Sequence, residues 1–441
     1  MEGKMGDTQR SQTITTELHQ IAKQAREYPE REFTSLAHLM DVDFLREAYR
    51  KTRKDGAPGI DGIRSKEYAR NLEENLDNLH NRLRENRYKA PPVKRAWIDK
   101  DDGSQRPLGM PVFEDKIVQR AVSMLMSTVY EQDFYDFSFG FREGRSPHQA
   151  IKEVRKKCNN LNIHWIVDAD VSGFFDNLDH GVLREIIKKR INDGGLIRLI
   201  GKWLKAGVLD GNELIYPKKG TPQGGVISPL LANIFLHQVL DEWYVKMIKP
   251  RLKGRSFLIR FADDFIIGCE LEEDARRIMA VLPKRFNRFN LTVHPKKTKL
   301  VDFRSPGRRS DSGDETHTFE FLGFTHYWGK SRKGSWVIKR KTAAKRIQRA
   351  MKSIWIWCRD HRHYDMPEQY SILCSKLRGH YQYYGITGNY KMLEVVFEYT
   401  EKAWRRWLGR RTRDGYISGK EFEKKMRQIF PLPRPRIVHS I

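Results

Sequence analysis

The stretch Arg260–Cys269 reads RFADDFIIGC, and SFLI stands directly before it at 256–259. Two apolar runs flank two adjacent carboxylates, Asp263 and Asp264, which is the pattern of two short buried strands joined by a tight turn. Each acid disfavours ionisation of the other. Two readings of the pair stand at this point. Aspartate is an ordinary turn residue, because it tolerates unusual backbone angles and bonds its own backbone. Alternatively, a cation offsets the crowded charge.

A second acidic strand bears on the choice. In WIVDADVSGFFD (165–176), Asp168 and Asp170 alternate with apolar residues, so both point to one face of a strand. One carboxylate from that strand and the hairpin pair can converge on one pole. Hard oxygen ligands without His or Cys nearby suit Mg²⁺, which keeps waters and takes a few carboxylates plus substrate phosphates. Two such ions roughly 3.5–4 Å apart stabilise both oxygens of an in-line phosphoryl displacement. On this reading the cations that relieve the hairpin arrive with a nucleoside triphosphate.

The composition agrees. The 441 residues carry 82 Lys and Arg against 56 Asp and Glu, a formal net charge of +26 and a pI near 9.8. That excess points to a polyanion as partner, and plentiful aromatics supply platforms on which bases stack. No apolar run approaches the length of a membrane span, and no apolar leader with a cleavage site is visible. The expected location is cytoplasmic, without a membrane partner. Cys158, Cys269, Cys358 and Cys374 lack any C-x-x-C spacing, which argues against structural zinc and a disulfide framework and for core thiols.

Local patterning predicts a helix from Asp41, its N-cap, with Phe44, Leu45 and Tyr49 on one face. KDGAPGIDGI (54–63) is a glycine-rich break without the Gly-Lys-Ser/Thr of a nucleotide P-loop. Extended sequence follows over 90–113, with KDDG (100–103) as a hairpin turn, and then an amphipathic helix from Phe113. The middle alternates strand (163–171) and helix (180–191). A helix over 228–248 has Ser228 as N-cap, Pro229 at its first position, and Leu231, Phe235 and Val239 on its buried face. Beyond the acidic hairpin come a helix near 272–288, strands at NLTVHP and FEFLGFTHY, and a polar loop over 305–318. After about residue 335, basic helices studded with aromatics replace strands.

These motifs, in this order, resemble the group II intron-encoded reverse transcriptases (maturases). FADD with its apolar flanks is similar to the Y/F-x-D-D box of that family. GAPGIDG (56–62), RPLGMP (106–111), FSFGFREGRS (137–146), VDADVSGFFDNLDH (167–180), GTPQGGVISPLLANIFL (220–236), LTVHPKKTKLV (291–301) and FEFLGF (319–324) resemble its successive blocks. LRGHYQYYG (377–385) resembles its thumb, or maturase domain X. The resemblance implies an α+β right-hand polymerase with fingers, an antiparallel-sheet palm and a helical thumb. The corresponding division is an N-terminal helical extension over 1–45, fingers and palm over 46–335, thumb over 336–410 and a basic tail over 411–441.

Carried over residue by residue, the resemblance makes Asp170, Asp263 and Asp264 the catalytic, metal-binding trio for two Mg²⁺ ions, with Mn²⁺ as a substitute. Asp170 is preferred to Asp168 because it stands five residues before Phe175, which fills the position of the family's steric gate against a 2′-hydroxyl. Phe174 beside it reads as core. Gln223 matches a residue lining the nucleotide pocket, and Lys100 and Arg106 match cations that grip the triphosphate. Lys297 matches a lysine that protonates the leaving pyrophosphate, with Lys296 and Lys299 as rivals. Gly224 and Gly225, Arg142 and Arg145, and Arg378, Arg405 and Arg406 are expected along the nucleic-acid path. The plain alternatives are a turn for the glycines and a solvated face for any single lysine. Trp355, Trp357, Tyr381, Tyr383, Tyr384, Trp404 and Trp407 are candidates for the same path, most of them as the packing face of thumb helices.

The implied partners are an RNA template, with group II intron RNA foremost, a DNA primer or target, and dNTPs. A splicing cofactor that binds RNA without copying it, and a host-domesticated relative in defence or repair, are the competing readings. A pure binder has no need of three acids together with Gln223 and the fingers cations, so a live polymerase is expected. Phe261 stands where the family has Tyr, and Glu143 where it usually has Pro. No paired cysteines follow the thumb motif, so cutting of a second DNA strand by this chain is not expected.

Overall fold

The computed structural model describes residues 2–99, 105–217, 219–221, 224–306, 317–411, 415 and 417–441. Lys100, the KDDG turn and Gln223 therefore lie outside the described residues. The strands are, in chain order, β1 (Val93–Asp99), β2 (Gln105–Met110), β3 (Trp165–Ala169), β4 (Val208–Asp210), β5 (Glu213–Ile215) and β6 (Ser256–Phe261). They continue with β7 (Asp264–Cys269), β8 (Lys299–Asp302), β9 (Phe319–Phe321), β10 (Phe324–Lys330) and β11 (Trp336–Thr342).

The hairpin read from RFADDFIIGC is β6 and β7, joined by Ala262 and Asp263 alone. A two-residue connection of this kind makes the two strands antiparallel neighbours. Every residue from Ser256 to Arg260 is buried, as is every one from Phe265 to Cys269, which explains why both runs are dominated by apolar residues, with Ser256 and Arg260 the polar exceptions. The sheet order is β6-β7-β3-β8, so β3, the second acidic strand, lies directly beside β7. A second sheet has the order β2-β1-β4-β5, and a third β11-β10-β9.

The chain divides into two compact units. One comprises Met1–Ser146, Ala169–Ile267 and Glu273–Lys299. Its spine is the helix Phe113–Asp133, whose Ile117, Val118, Ala121, Val122, Leu125 and Met126 are wholly buried. Two earlier helices pack against that spine, Glu2–Glu27 and Val42–Lys51. Asp41 caps the latter, accepting from the Phe44 amide at 2.8 Å, and a cap of this kind is worth about 1 kcal/mol.

The helix expected over 228–248 is α-helical only over Ser228–Leu236 and then widens into π-helical turns at His237–Asp241 and Tyr244–Ile248. Its predicted face is nonetheless buried at Leu231, Phe235 and Val239, each side chain contributing about 1.5–3 kcal/mol. Ile227 takes the N-cap position in place of Ser228. NLTVHP forms no strand. It joins the 170–172 segment through single contacts, Ser172 to Thr292 and His294 to Asp170, and Pro295 has no amide with which to extend a ladder.

The other unit comprises Pro147–Asp168, Gly268–Glu272 and Leu300–Ile441. It contains the β11-β10-β9 sheet and three helices, Ala344–Asp360, Met366–Tyr384 and Tyr390–Leu408. The run of basic helices therefore begins at Ala344, later than expected. Trp336–Thr342 is a strand whose inward positions include Arg340 as well as Ile338 and Thr342, and an inward arginine hides the alternation. The three helices close on Leu373, Leu377, Tyr381, Leu393, Phe397 and Trp404. All four cysteines are free and buried. Among the described residues no helix is long and apolar enough to cross a membrane.

Candidate active site

The β6–β7 turn is strained and held from several sides. Ala262 has φ +57°, a left-handed conformation that costs a residue with a Cβ about 1–2 kcal/mol. Arg260, wholly buried at the end of β6, donates from Nη1 to the Ala262 carbonyl at 3.2 Å and to Asn233 Oδ1 at 2.8 Å. Its Nε and Nη2 form a two-point pair with Asp241 at 2.8 and 2.6 Å. Burial alone would raise the Asp241 carboxyl, but Arg260 and His237 hold it below its ordinary range. Asn233 in turn donates to the Gly140 carbonyl at 2.7 Å.

Gly140 belongs to the FSFGFREGRS motif, and its backbone lies flat against the turn. A Cβ on Gly140 would stand 2.2 Å from the Ala262 nitrogen. Phe139 and Arg260 exchange backbone bonds with this segment, Phe139 N to Arg260 O at 2.8 Å and Arg260 N to Phe137 O at 2.9 Å. The motif is therefore a brace for the acidic hairpin. Arg142, expected on a nucleic-acid path, is turned inward. It pairs with Glu131 and donates to the Tyr135 and Ser138 carbonyls, so its guanidinium holds the loop. Arg145 pairs with Asp136 at 2.7 Å.

Asp170 immediately follows β3 and is fixed through its backbone: its carbonyl accepts from the His294 amide at 2.7 Å. That bond carries HPKKTK (294–299) to the site, where Lys297 Nζ lies 3.0 Å from Asp170 Oδ2. Of the three candidate lysines, Lys297 is the one that meets Asp170. Asp263 is half-buried in the turn. Burial first, and then the neighbouring charge of Asp170, raise its carboxyl above the ordinary value, while Arg106 and Arg260 pull it down. One electrostatic neighbourhood therefore holds Asp170, Asp263 and Arg106. Asp264 is exposed at the first position of β7, and Asp168 is half-buried within β3.

Phe174 and Phe175 open the short helix Phe174–Asn177 just beyond Asp170. Phe174 is core, edge-on to Phe235. Phe175 stays half-buried, edge-on to Phe174 at 5.3 Å, and its carbonyl accepts from Thr221 at 2.8 Å. Gly220 packs so closely here that a Cβ would meet the Phe175 carbonyl oxygen at 2.8 Å. Gly224, at φ +108°, lies on β2, where a Cβ would stand 2.4 Å from the Gly109 oxygen. The close approach this glycine permits is thus to the protein's own strand, and Gly225 is buried beside it.

Along the three basic helices, Arg378 is exposed, Arg405 half-buried, and Arg406 exposed with its guanidinium 5.4 Å from the Trp355 ring centroid. Tyr381 and Trp404 are core, while Trp355, Trp357, Tyr384 and Trp407 pack around that core. Tyr383 donates to the Leu322 carbonyl at 3.0 Å. Most of the aromatic candidates are thus committed to packing.

The donor set fits a divalent cation. Asp170 and Asp263 offer hard oxygens, and their mutual repulsion is what a cation would relieve. Among the described residues no three His, Cys, Asp or Glu side chains are gathered as a metal cage. Magnesium is commonly held by one or two carboxylates plus substrate phosphates, and the pair supplies that number. Sequence reasoning missed Arg260, Asp241 and Asn233 as the scaffold of the turn. Its only trace was a charge embedded in each of two apolar segments.

The family comparison places this braced acidic turn, beside a strand followed directly by Asp170, among the template-directed polymerases. Residues 98–326 match the family described as reverse transcriptase (RNA-dependent DNA polymerase). The match covers more than half of the chain, and the chain belongs to that family. Its α+β architecture is the family's right-hand polymerase fold, and such enzymes generally use divalent metals.

Protein YkfC of Escherichia coli is 36% identical over 260 residues, spanning 52% of this chain and 68% of that protein. The group II intron-encoded protein LtrA of Lactococcus lactis is 36% identical over 232 residues, 52% of this chain and 38% of LtrA. Nuclear intron maturase 1 of Arabidopsis thaliana is 33% identical over 95 residues, 22% of this chain and 13% of that protein.

Proposed function

We propose that the chain is an RNA-directed DNA polymerase that extends a primer 3′-hydroxyl with dNTPs on an RNA template and also binds a group II intron RNA. The observation that carries this reading is the meeting of Asp170 and Asp263 with Lys297 and Arg106 at a rigidly braced turn. Asp170 and Asp263 would hold two Mg²⁺ ions, or Mn²⁺ in their place, which supply positive charge to the attacking and leaving oxygens. Asp264 completes the acidic edge. Arg106 suits bidentate contact with a phosphate, and Lys100 adds a point charge. Lys297, whose Nζ lies 3.0 Å from Asp170, is the proposed donor to the leaving pyrophosphate. Phe175 limits room at the sugar, and Gln223 is the nucleotide-contacting residue expected from its place in the GTPQGG motif. Catalysis is then mainly positioning and electrostatic preorganisation.

Fingers and palm over 46–335, a thumb over 336–410, an N-terminal extension over 1–45 and a tail over 411–441 divide the labour. Arg145, Arg378, Arg405 and Arg406 are the proposed nucleic-acid contacts. Likeness to proteins named for group II introns and intron maturases supports intron RNA as one ligand. The test is extension of a DNA primer on an RNA template with Mg²⁺. Asp263→Asn abolishes extension and leaves RNA affinity nearly intact; extension by that variant at the wild-type rate overturns the site.

A further inference from the structure

A groove with a volume of about 750 Å³ opens in the unit that holds the acidic turn. Its walls are the helices His180–Lys188 and Gly194–Lys205, the segment leading into β1, and Tyr216 beyond β5. None of Asp170, Asp263, Lys297 or Arg106 lines it, so the proposed polymerase chemistry does not account for it.

Three features of the groove point to one kind of occupant. Its floor is aliphatic, made by Ile187, Ile197, Ile200 and Leu204, none of them more than 7% exposed. Its rim is cationic, made by Lys89, Arg184, Arg198, Lys202 and Lys205, and no carboxylate among the described residues lines it. Lys202 is held by the Tyr88 carbonyl at 2.7 Å. The other four are not in ion pairs among the described residues, and all four are exposed. The third feature is Gly201. It sits inside the helix Gly194–Lys205, where glycine is weaker than alanine, and a Cβ there would meet nothing within 4 Å. Packing does not require this glycine, and its missing side chain leaves the groove wall clear.

We propose that this groove receives an acidic amphipathic helix of a protein partner. Its leucine-like side chains would lie along the isoleucine floor, and its carboxylates would meet Lys89, Arg184, Arg198 and Lys205. An aliphatic slot with a charged rim is the usual setting for a helix bound by its apolar face. A strand of RNA would satisfy the rim but not the floor, because single-stranded nucleic acid is gripped by flat rings on which bases stack. The rings in this lining are His180, tied to the Gly220 carbonyl at 2.6 Å, and Tyr216, which stands apart from it at 65% exposure.

The probe is a fluorescein-labelled synthetic helix with leucines at i, i+4 and i+7 and glutamates elsewhere, titrated with the full chain and followed by anisotropy. Gly201→Leu fills the slot from a position with free space, so it unfolds no earlier than wild type. It weakens the probe about tenfold or more, whereas Gly201→Ala leaves binding intact. Arg184→Glu and Arg198→Glu each weaken it about two- to fivefold, an effect that shrinks as salt rises. The same glutamate helix with its leucines replaced by serine does not bind. The proposal is overturned by no binding at ~1 mM protein, or by equal affinity for wild type and Gly201→Leu. It is equally overturned if Gly201→Leu weakens an RNA oligonucleotide and leaves the peptide unaffected, which would assign the groove to nucleic acid.

Discussion

Replacing Gly140 by alanine tests whether the brace, rather than the acids alone, sets activity. The added Cβ would stand 2.2 Å from the Ala262 nitrogen, 2.8 Å from the Phe261 carbonyl carbon and 3.0 Å from the Ala262 Cα. All three neighbours are backbone, so no side chain can rotate away. Relieving the shortest contact even to 3.0 Å means moving the turn by about 0.8 Å, since packed interiors transmit such strain. Overpacking of this kind costs about 1–3 kcal/mol. Asp263 follows Ala262 directly, so its carboxyl moves by a similar amount. A misplacement of about 1 Å at a reacting centre costs on the order of a hundredfold in rate.

The assay is single-nucleotide primer extension on an RNA template, with thermal unfolding and RNA affinity measured on the same preparations. Gly140→Ala is expected to be folded at the assay temperature, to bind RNA normally, and to extend about a hundredfold more slowly. Gly379→Ala is the control. That glycine lies within the helix Met366–Tyr384 and a Cβ there meets nothing within 4 Å, so activity stays unchanged and stability rises by about 0.5–1 kcal/mol. A Gly140→Ala enzyme that extends at the wild-type rate refutes the brace, as does one whose loss is wholly explained by unfolded protein.

Arg260→Met leaves Asp241 buried without its cation and costs about 3–5 kcal/mol, while adding Asp241→Leu recovers much of that loss; denaturant titration of both variants decides, and a double variant no better than the single would contradict the pairing. Phe175→Ala admits ribonucleotides in competition extension assays, and unchanged sugar discrimination would remove it as the gate. Asp115 is buried among donors from Tyr88, Trp203 and Gln119, yet desolvation outweighs them and pushes its carboxyl up to about 6. With the folded value above the unfolded one, its contribution to stability is full below about 3.8 and is lost as pH rises through about 6, an upper figure of about 3 kcal/mol. The difference in unfolding free energy between wild type and Asp115→Asn, followed from pH 4 to 7, must therefore fall with rising pH; a flat difference sinks the assignment.

The amino-acid sequence by itself determined a good deal. The apolar runs around Asp263 and Asp264 read as buried strands, and DAD in another apolar run as a second acidic strand able to converge on them; that the two strands are neighbours came from the fold. Alternation and periodicity report burial, and burial is what the chain encodes locally. Ordered motifs carried the family, because the spacing of blocks along the chain needs no coordinates. Expected contacts failed where the partner is a backbone oxygen, which leaves no pattern in the sequence. Arg142 looked like a phosphate contact until Glu131 and two carbonyls were seen to surround it. Gly224 was expected along the nucleic-acid path, yet the room it leaves is taken by β2.

Tertiary structure alone decided which lysine of the HPKKTK run faces Asp170, since three flexible side chains in a short loop have no periodicity to separate them. It alone joined Arg260 to Asp241 and Asn233, across a π-helical turn that no local propensity announces. The choice of acids was local. The strained geometry that aims them depends on segments more than a hundred residues apart, and a distance of that kind exists only once the chain has folded.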